Sequence, residues 1–311
     1  QHFYQPLVPL LEDRHPKVRQ AAILAAGMLK SQDLISNLVK QFESPRFAAT
    51  AVNSLAQYGE QAIDIAAGLL DDPNHASAIR SQAPKILARI GNERCADILC
   101  NHLLDEDIHV RSTSVLALVS LLRRNHHIHT DRKAVDFAIH MEAKGYFELI
   151  TLQHDLQLSE ESSLLADAIT HRESQIIERL LGLLSLKYPT QTIEVVSNNL
   201  KSPNTATRAN ALEVLDNILT KEEKAYIIPL LDEAAGDRKL QTGGDIFQLI
   251  HTNREERLIE LLEGRDTWLK VSAAMAVYKW ELHQLSSYVD KMLEHDEALC
   301  RETAIFVGRK L

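Results

Sequence analysis

The chain has 311 residues, 45% of them apolar, 5% aromatic and 25% charged, with a net charge of −9. That much apolar surface can bury a continuous core and excludes wholesale disorder, while few aromatics and only 11 glycines and 9 prolines favour helices over sheet. The acidic balance argues against a general nucleic-acid binder, because phosphate binding draws on clustered Lys and Arg. Cys95, Cys100 and Cys300 are too few and too scattered for a disulfide framework and fit a reducing cytosol. No apolar run approaches the ~18 residues of a membrane span, Val115 to Val119 being typical of the longest. No signal peptide is visible in this sequence, and the first residue is Gln1 rather than Met, so an excerpt of a longer protein is expected.

The predicted elements repeat along the chain. Leu7-Val8-Pro9-Leu10-Leu11-Glu12 returns as Ile227-Ile228-Pro229-Leu230-Leu231-Asp232. Comparable helix ends fall at Leu11, Phe42, Leu104, Leu200, Leu231, Leu262 and Leu293, a spacing of about 31 residues or its multiples. In each unit an apolar helix is followed by a short polar turn and then an aliphatic-then-basic pattern: Val18-Arg19, Ile79-Arg80, Val110-Arg111, Leu269-Lys270 and Leu299-Cys300-Arg301, with Arg208 in the same place. A second helix rich in small residues follows, as in Ala21-Ala22-Ile23-Leu24-Ala25-Ala26. Gly27, Gly59 and Gly91 recur at a spacing of 32 and are expected to end these helices in the left-handed conformation. Apolar residues recurring at three and four give each helix one stripe, and a lone pair cannot cover its stripes. Stacking covers them, and alanines let neighbours approach closely.

The turn with an aliphatic-Arg pair, and an acid six residues before the Arg in Asp13/Arg19 and Asp105/Arg111, resembles the HEAT repeat. The resemblance implies an all-α fold, an α-solenoid or superhelix of helical hairpins. It also implies a structural ladder of acid-base contacts between successive turns, carried over to Asp13, Arg19, Arg80, Asp105 and Arg111, and to Arg208, Lys270 and Arg301. The last three depart from the pattern, with Ser202, Gly264 and His295 where the acid would stand.

Between Arg124 and Leu200 the 31-residue beat fades. Arg132 to Leu156 reads as one long helix. Ser159-Glu160-Glu161-Ser162 reads as the start of a second, running through Leu164, Ile169, Ile176 and Leu180 to Leu184 before Pro189 breaks the chain. The organisation expected is therefore HEAT-like repeats in 1–124, irregular longer helices in 125–199 and HEAT-like repeats in 200–311. Tyr146-Phe147-Glu148-Leu149, Glu178 to Leu184 with Tyr188-Pro189, Arg208 to Asn217 and Asp266 to Lys270 are similar to the cytosolic HEAT region of bacterial ADP/ATP translocase-like transporters. That resemblance implies a cytoplasmic arm beside a membrane carrier; the carrier itself is not in this sequence, and no catalytic residues carry over.

Several residue groups invite a chemical reading. His126, His127 and His129 lie between two helices and can face one ion, but no ordered ligand set completes them, so they read as a solvated linker and no metal is expected. Cys95 and Cys100 are five apart, wrong for a shared helix face or a zinc pair, and read as core. Trp268 and Trp280 bracket one repeat helix and read as packing, with partner contact as the alternative, in which Arg208 would join them. Gly243-Gly244 lacks the Lys-Ser/Thr of a phosphate loop and reads as an irregular turn before a helix capped by Asp245. Glu222-Glu223 and Arg254-Glu255-Glu256-Arg257 read as solvated faces.

The function expected is a non-catalytic scaffold that binds a protein, without a cofactor. No His-Glu dipeptide occurs, which removes the repeated ligand pairs of HEAT-fold dinuclear-iron hydroxylases. A helical-repeat glycosylase acting on DNA is the alternative, favoured if the basic turn residues point inward and unpaired. A free-standing soluble scaffold is the other.

Overall fold

A computed structural model describes residues 4–158, 164–233 and 236–310. Among them every regular element is a helix, so the fold class is all-α, of the α-solenoid type. The expected start of the second long helix at Ser159–Ser162 lies outside the described residues; the helix is described from Leu164 to Lys187. The first long helix runs from Arg132 to Leu156. No helix of the described residues is long and apolar enough to cross a membrane.

The chain divides into two compact units, Gln1–His140 with Leu181–Glu194, and Met141–Leu180 with Val195–Leu311. These boundaries differ from the three segments read along the sequence, because a long helix can lend residues to more than one compact unit.

In the first unit the second helices of successive repeats stack side by side: Pro16–Leu29, Pro45–Ala56, Ala83–Ile90 and Ile108–Arg124. Pro16 and Pro45 occupy first-turn positions, where a missing N–H costs nothing. Asp107 starts the last of the four, its carboxylate accepting from the amides of His109 and Val110. Alanines recur on the buried face of the stack, among them Ala22, Ala26, Ala48, Ala51, Ala83 and Ala88, beside larger residues such as Ile23, Leu55, Leu87 and Leu118. Cys95 and Cys100 are buried in the helix Glu93–Asn101, and burial pushes both thiols up, Cys100 to about 11. They are core residues.

The repeated glycines do not share one role. Gly91 closes the helix Ala83–Ile90 at φ +70°, its amide donating to the Leu87 carbonyl, and Gly59 at φ +60° leads into Glu60–Asp71. Gly27 instead sits inside Pro16–Leu29, which Lys30 ends in the left-handed conformation. Gly27 is there for close approach: a Cβ would lie 2.8 Å from Ser54 Cα on the neighbouring helix. The 32-residue spacing thus hides a packing glycine among two turn glycines.

In the second unit the helices Arg254–Glu263, Thr267–Lys279 and Ala298–Gly308 share a core with Leu152, Leu156, Leu165 and Ile169. Gly243 and Gly244 are not a turn before a helix; they lie inside the helix Gly236–Phe247. Gly243 is packed, its missing Cβ leaving room for Phe147 Cβ at 3.5 Å and Leu249 at 3.3 Å. Phe247, at the end of that helix, stacks on Phe147 with centroids 5.4 Å apart. Glu223 is not solvated either. Its carboxylate accepts from the Thr220 amide and hydroxyl while the Thr220 hydroxyl accepts from the Glu223 amide, a capping box that buries the glutamate.

Candidate functional site: a cationic groove and an aspartate node

The arginines of the turns are engaged. Arg80 donates to both carboxylate oxygens of Asp105, at 3.2 and 2.8 Å, and to the Leu70 carbonyl at 2.6 Å. Burial works to raise the Asp105 pKa, but His102, the Asp107 amide and Arg80 together bring it below the usual carboxylate value. Among the described residues Arg19 meets no carboxylate: its Nε donates to Gln41 at 2.6 Å, and its guanidinium lies over the Phe47 ring. Asp13 caps the His15 amide instead.

Arg111, Arg208 and Arg301 follow a rule that side-chain pattern could not reveal. Each donates to the main-chain carbonyl six residues earlier, of Asp105, Ser202 and His295. A carbonyl is available whatever the side chain, so the departures at Ser202 and His295 leave this contact intact. Arg208 also pairs with Glu233 at 2.9 Å, which occupies the cation proposed for partner contact. Lys270 is buried within Thr267–Lys279. Trp268 is 39% exposed at the start of that helix; Trp280 ends it, packed on the core with Arg254 4.9 Å above its ring.

The feature that the turn pattern did not single out lies on the second helices of the first unit. Lys85 and Arg89, one helical turn apart on Ala83–Ile90, face Thr113, Leu116, Ser120 and Arg124 on Ile108–Arg124 across a groove of about 490 Å³. Leu116 is 65% exposed in this groove. Among the described residues the hydrogen-bond partners of the three cations are neutral oxygens. Lys85 donates to Gln82, Arg89 to the Asn53 amide oxygen and the Lys85 carbonyl, and Arg124 to the Ala88 and Ser120 carbonyls. Among the described residues no carboxylate pairs with any of them, although the adjacent Arg123 pairs with Glu194. Burial and Arg89 hold the Lys85 ammonium below its ordinary value; burial and Arg124 do the same to Arg89. A sequence signal existed in the i, i+4 spacing of Lys85 and Arg89. Their meeting with Arg124 depends on how successive repeats stack.

The second unit holds two further clusters. Asp155 has a side chain only 2% exposed and accepts from His251 Nδ1 at 2.6 Å, the Thr252 amide at 3.1 Å and Arg257 Nε at 2.9 Å. Burial alone would raise its pKa; these bonds, with His154, overcome that and lower it to about 2. Arg257 therefore stands in an ion-pair node rather than on a solvated face. His126, His127 and His129 are exposed and gather no further ligands among the described residues.

In the other cluster, burial pushes the Glu173 carboxyl up to about 7, against the pull of Lys239. One of its oxygens is buried without a hydrogen-bond partner, while Lys239 donates to the Tyr146 hydroxyl at 3.0 Å. Below pH 4.5 Glu173 is protonated in both folded and unfolded chains and contributes nothing to the pH dependence. As pH rises from 4.5 to about 7, the unfolded chain releases this proton and the folded chain keeps it, so stability falls. Glu173→Gln is expected to raise the melting temperature at pH 8 and to leave it nearly unchanged at pH 4. Parallel melting curves of the two proteins across this range would refute that assignment.

The family model described as HEAT repeats matches residues 4–79 and 35–119, a stretch that includes Lys85 and Arg89 of the groove and stops short of Ser120 and Arg124. No curated protein sequence matches the chain. Among solved structures, human deoxyhypusine hydroxylase in complex with glycerol aligns at 14% identity and a TM-score of 0.33, covering 99% of this chain and 95% of that one. An engineered protein aligns at 14% identity and a TM-score of 0.20, covering 100% and 96%. A second engineered protein does so at a TM-score of 0.18.

Proposed function

We propose that this chain is a non-catalytic interaction scaffold, and that the groove between Ala83–Ile90 and Ile108–Arg124 receives an acidic segment of a protein partner. The observation that carries this is the trio Lys85, Arg89 and Arg124: three cations crowded together without a carboxylate, in a chain of net charge −9. Crowding like charges costs free energy, and an acidic side chain entering the groove relieves it. Leu116 and the hydroxyls of Thr113 and Ser120 add apolar and polar contacts between the charges.

This arrangement favours a peptide over a nucleic acid. Three cations make a short patch, and among the described residues no aromatic side chain lines the groove on which a base could stack. The turn arginines, which a glycosylase reading needs free, are engaged at Arg80, Arg208 and Arg301. The narrower reading, a cytoplasmic arm of a translocase-like transporter, is supported by the resemblance of Arg208 to Asn217 and its companion segments. It is tested by fractionating source cells and immunoblotting: a band much larger than 35.0 kDa in the membrane fraction supports it, and a soluble band of that size removes it.

The groove is tested by fluorescence anisotropy with a labelled peptide of Glu-Glu-Leu repeats. Arg89→Glu/Arg124→Glu is expected to weaken binding by at least about tenfold, or ~1.4 kcal/mol. Added salt should weaken the parent complex more than the variant's. Equal affinity of the two proteins, or preference for a DNA duplex of matched charge, would refute the reading.

A further inference from the structure

The Asp155 node has the donor set of a metal site. His154 and Asp155 come from the last turn of the helix Arg132–Leu156, and His251 from the non-helical connector that precedes Arg254–Glu263. One ligand atom from each of the three lies within 4.8 Å of the others. The two oxygens of Asp155 are divided between tasks. Oδ2 accepts from the Thr252 amide and from Arg257 Nε, which fix the carboxylate plane. Oδ1 faces both imidazoles, with His251 Nδ1 at 2.6 Å and His154 Nδ1 at 3.4 Å. The rings stand 4.9 Å apart at 60° and are about half exposed, so solvent can reach a fourth position.

We infer that His154, Asp155 Oδ1 and His251 form a binding site for a divalent transition ion of the zinc class. Bonds of about 2.0 Å in tetrahedral geometry place donors roughly 3.3 Å apart, a separation these atoms reach by small movements of two half-exposed rings. The ion takes the place of the direct contacts between Oδ1 and the two imidazole nitrogens. The carboxylate is held from behind by Arg257 and Thr252, as outer partners hold ligands in metal sites. Arg257 also cancels charge at the site, which decides the kind of ion: imidazole supplies most of the binding, so zinc, nickel or copper fits and magnesium or calcium, which need several oxygens, does not. The helix C-terminus adds a favourable partial charge for a cation. A bound ion would pin the connector around His251 to the end of the long helix.

The test is zinc titration of the full chain by calorimetry and thermal shift, with magnesium and calcium as comparisons. Three proteins are compared: the parent, His251→Ala, and a triple variant in which His126, His127 and His129 are each changed to alanine. The expected result is one zinc site that raises the melting temperature and is absent for magnesium and calcium. His251→Ala should weaken it by more than the ~10–100-fold typical of losing an outer partner, and the triple variant should keep it. If His251→Ala disturbs the fold by circular dichroism, His154→Ala serves instead, because it leaves Asp155 with Arg257 and Thr252. Cobalt substitution adds a readout, with intense visible bands of low-coordinate nitrogen-oxygen ligation lost in either variant. No saturable zinc binding, or a site that survives His251→Ala and His154→Ala but disappears in the triple variant, would overturn the assignment.

Discussion

Replacing Arg179 by Met is expected to destabilise the second unit by about 3–5 kcal/mol, the cost of leaving one member of a buried ion pair without its partner. Arg179 Nε lies 3.0 Å from both oxygens of Glu142, and Nη2 lies 2.9 Å from one of them. The side chains are 4% and 1% exposed, so water cannot replace the lost guanidinium. The double replacement Glu142→Leu/Arg179→Met should recover most of the loss, because it removes the stranded charge as well. Urea unfolding of the parent, both single variants and the double variant closes the cycle. A loss under about 1 kcal/mol for Arg179→Met, the range of an exposed pair, would show that this pair does not hold the two long helices together.

Gly27→Ala is expected to destabilise the first unit by about 1–3 kcal/mol, although the substitution stabilises most helix interiors. The reversal comes from packing. An added methyl would lie 2.8 Å from both Cα and Cβ of Ser54, so the helices Pro16–Leu29 and Pro45–Ala56 would have to separate. Gly68 supplies the control. It is an exposed position inside the helix Glu60–Asp71 with nothing within 4 Å of an added Cβ, and Gly68→Ala should stabilise by about 0.5–1 kcal/mol. Thermal melts of the two variants should therefore move in opposite directions. If both rise, close approach does not constrain this stack.

These two cases mark how far sequence could be read. The helices Arg132–Leu156 and Leu164–Lys187 were legible because their apolar residues keep a helical period and Pro189 ends the run. Gly27 and Gly91 were indistinguishable as letters at a fixed spacing; only the approach of Ser54 separates a contact glycine from a turn glycine. Gly243 repeats the lesson, since a Gly-Gly pair reads as a break while Phe147 and Leu249 occupy the space its absent side chain leaves. The ionic features were the least legible. Arg257 and Asp155 are 102 residues apart, His251 and Asp155 are 96 apart, and no local pattern relates them. Arg111, Arg208 and Arg301 were recognisable as a repeated position, but their shared acceptor is a backbone carbonyl, which no residue type announces.

The groove stands between these extremes. Lys85 and Arg89 lie one turn apart on a short helix, which sequence shows, but their isolation from carboxylates follows from how Ala83–Ile90 stacks on Ile108–Arg124. A solvated charged face would have gathered counter-charges of its own, as Arg94 does with Glu60 and Asp64 on the helix Glu60–Asp71. That contrast within one unit is the main physical reason to assign binding to this face.

The most direct measurement is amide hydrogen exchange of the full chain with and without the Glu-Glu-Leu peptide. The binding-scaffold account predicts slowed exchange on peptides from Ala83–Ile90 and Ile108–Arg124, abolished in Arg89→Glu/Arg124→Glu. Protection confined to other helices, or no protection at peptide concentrations that saturate the anisotropy signal, would contradict it.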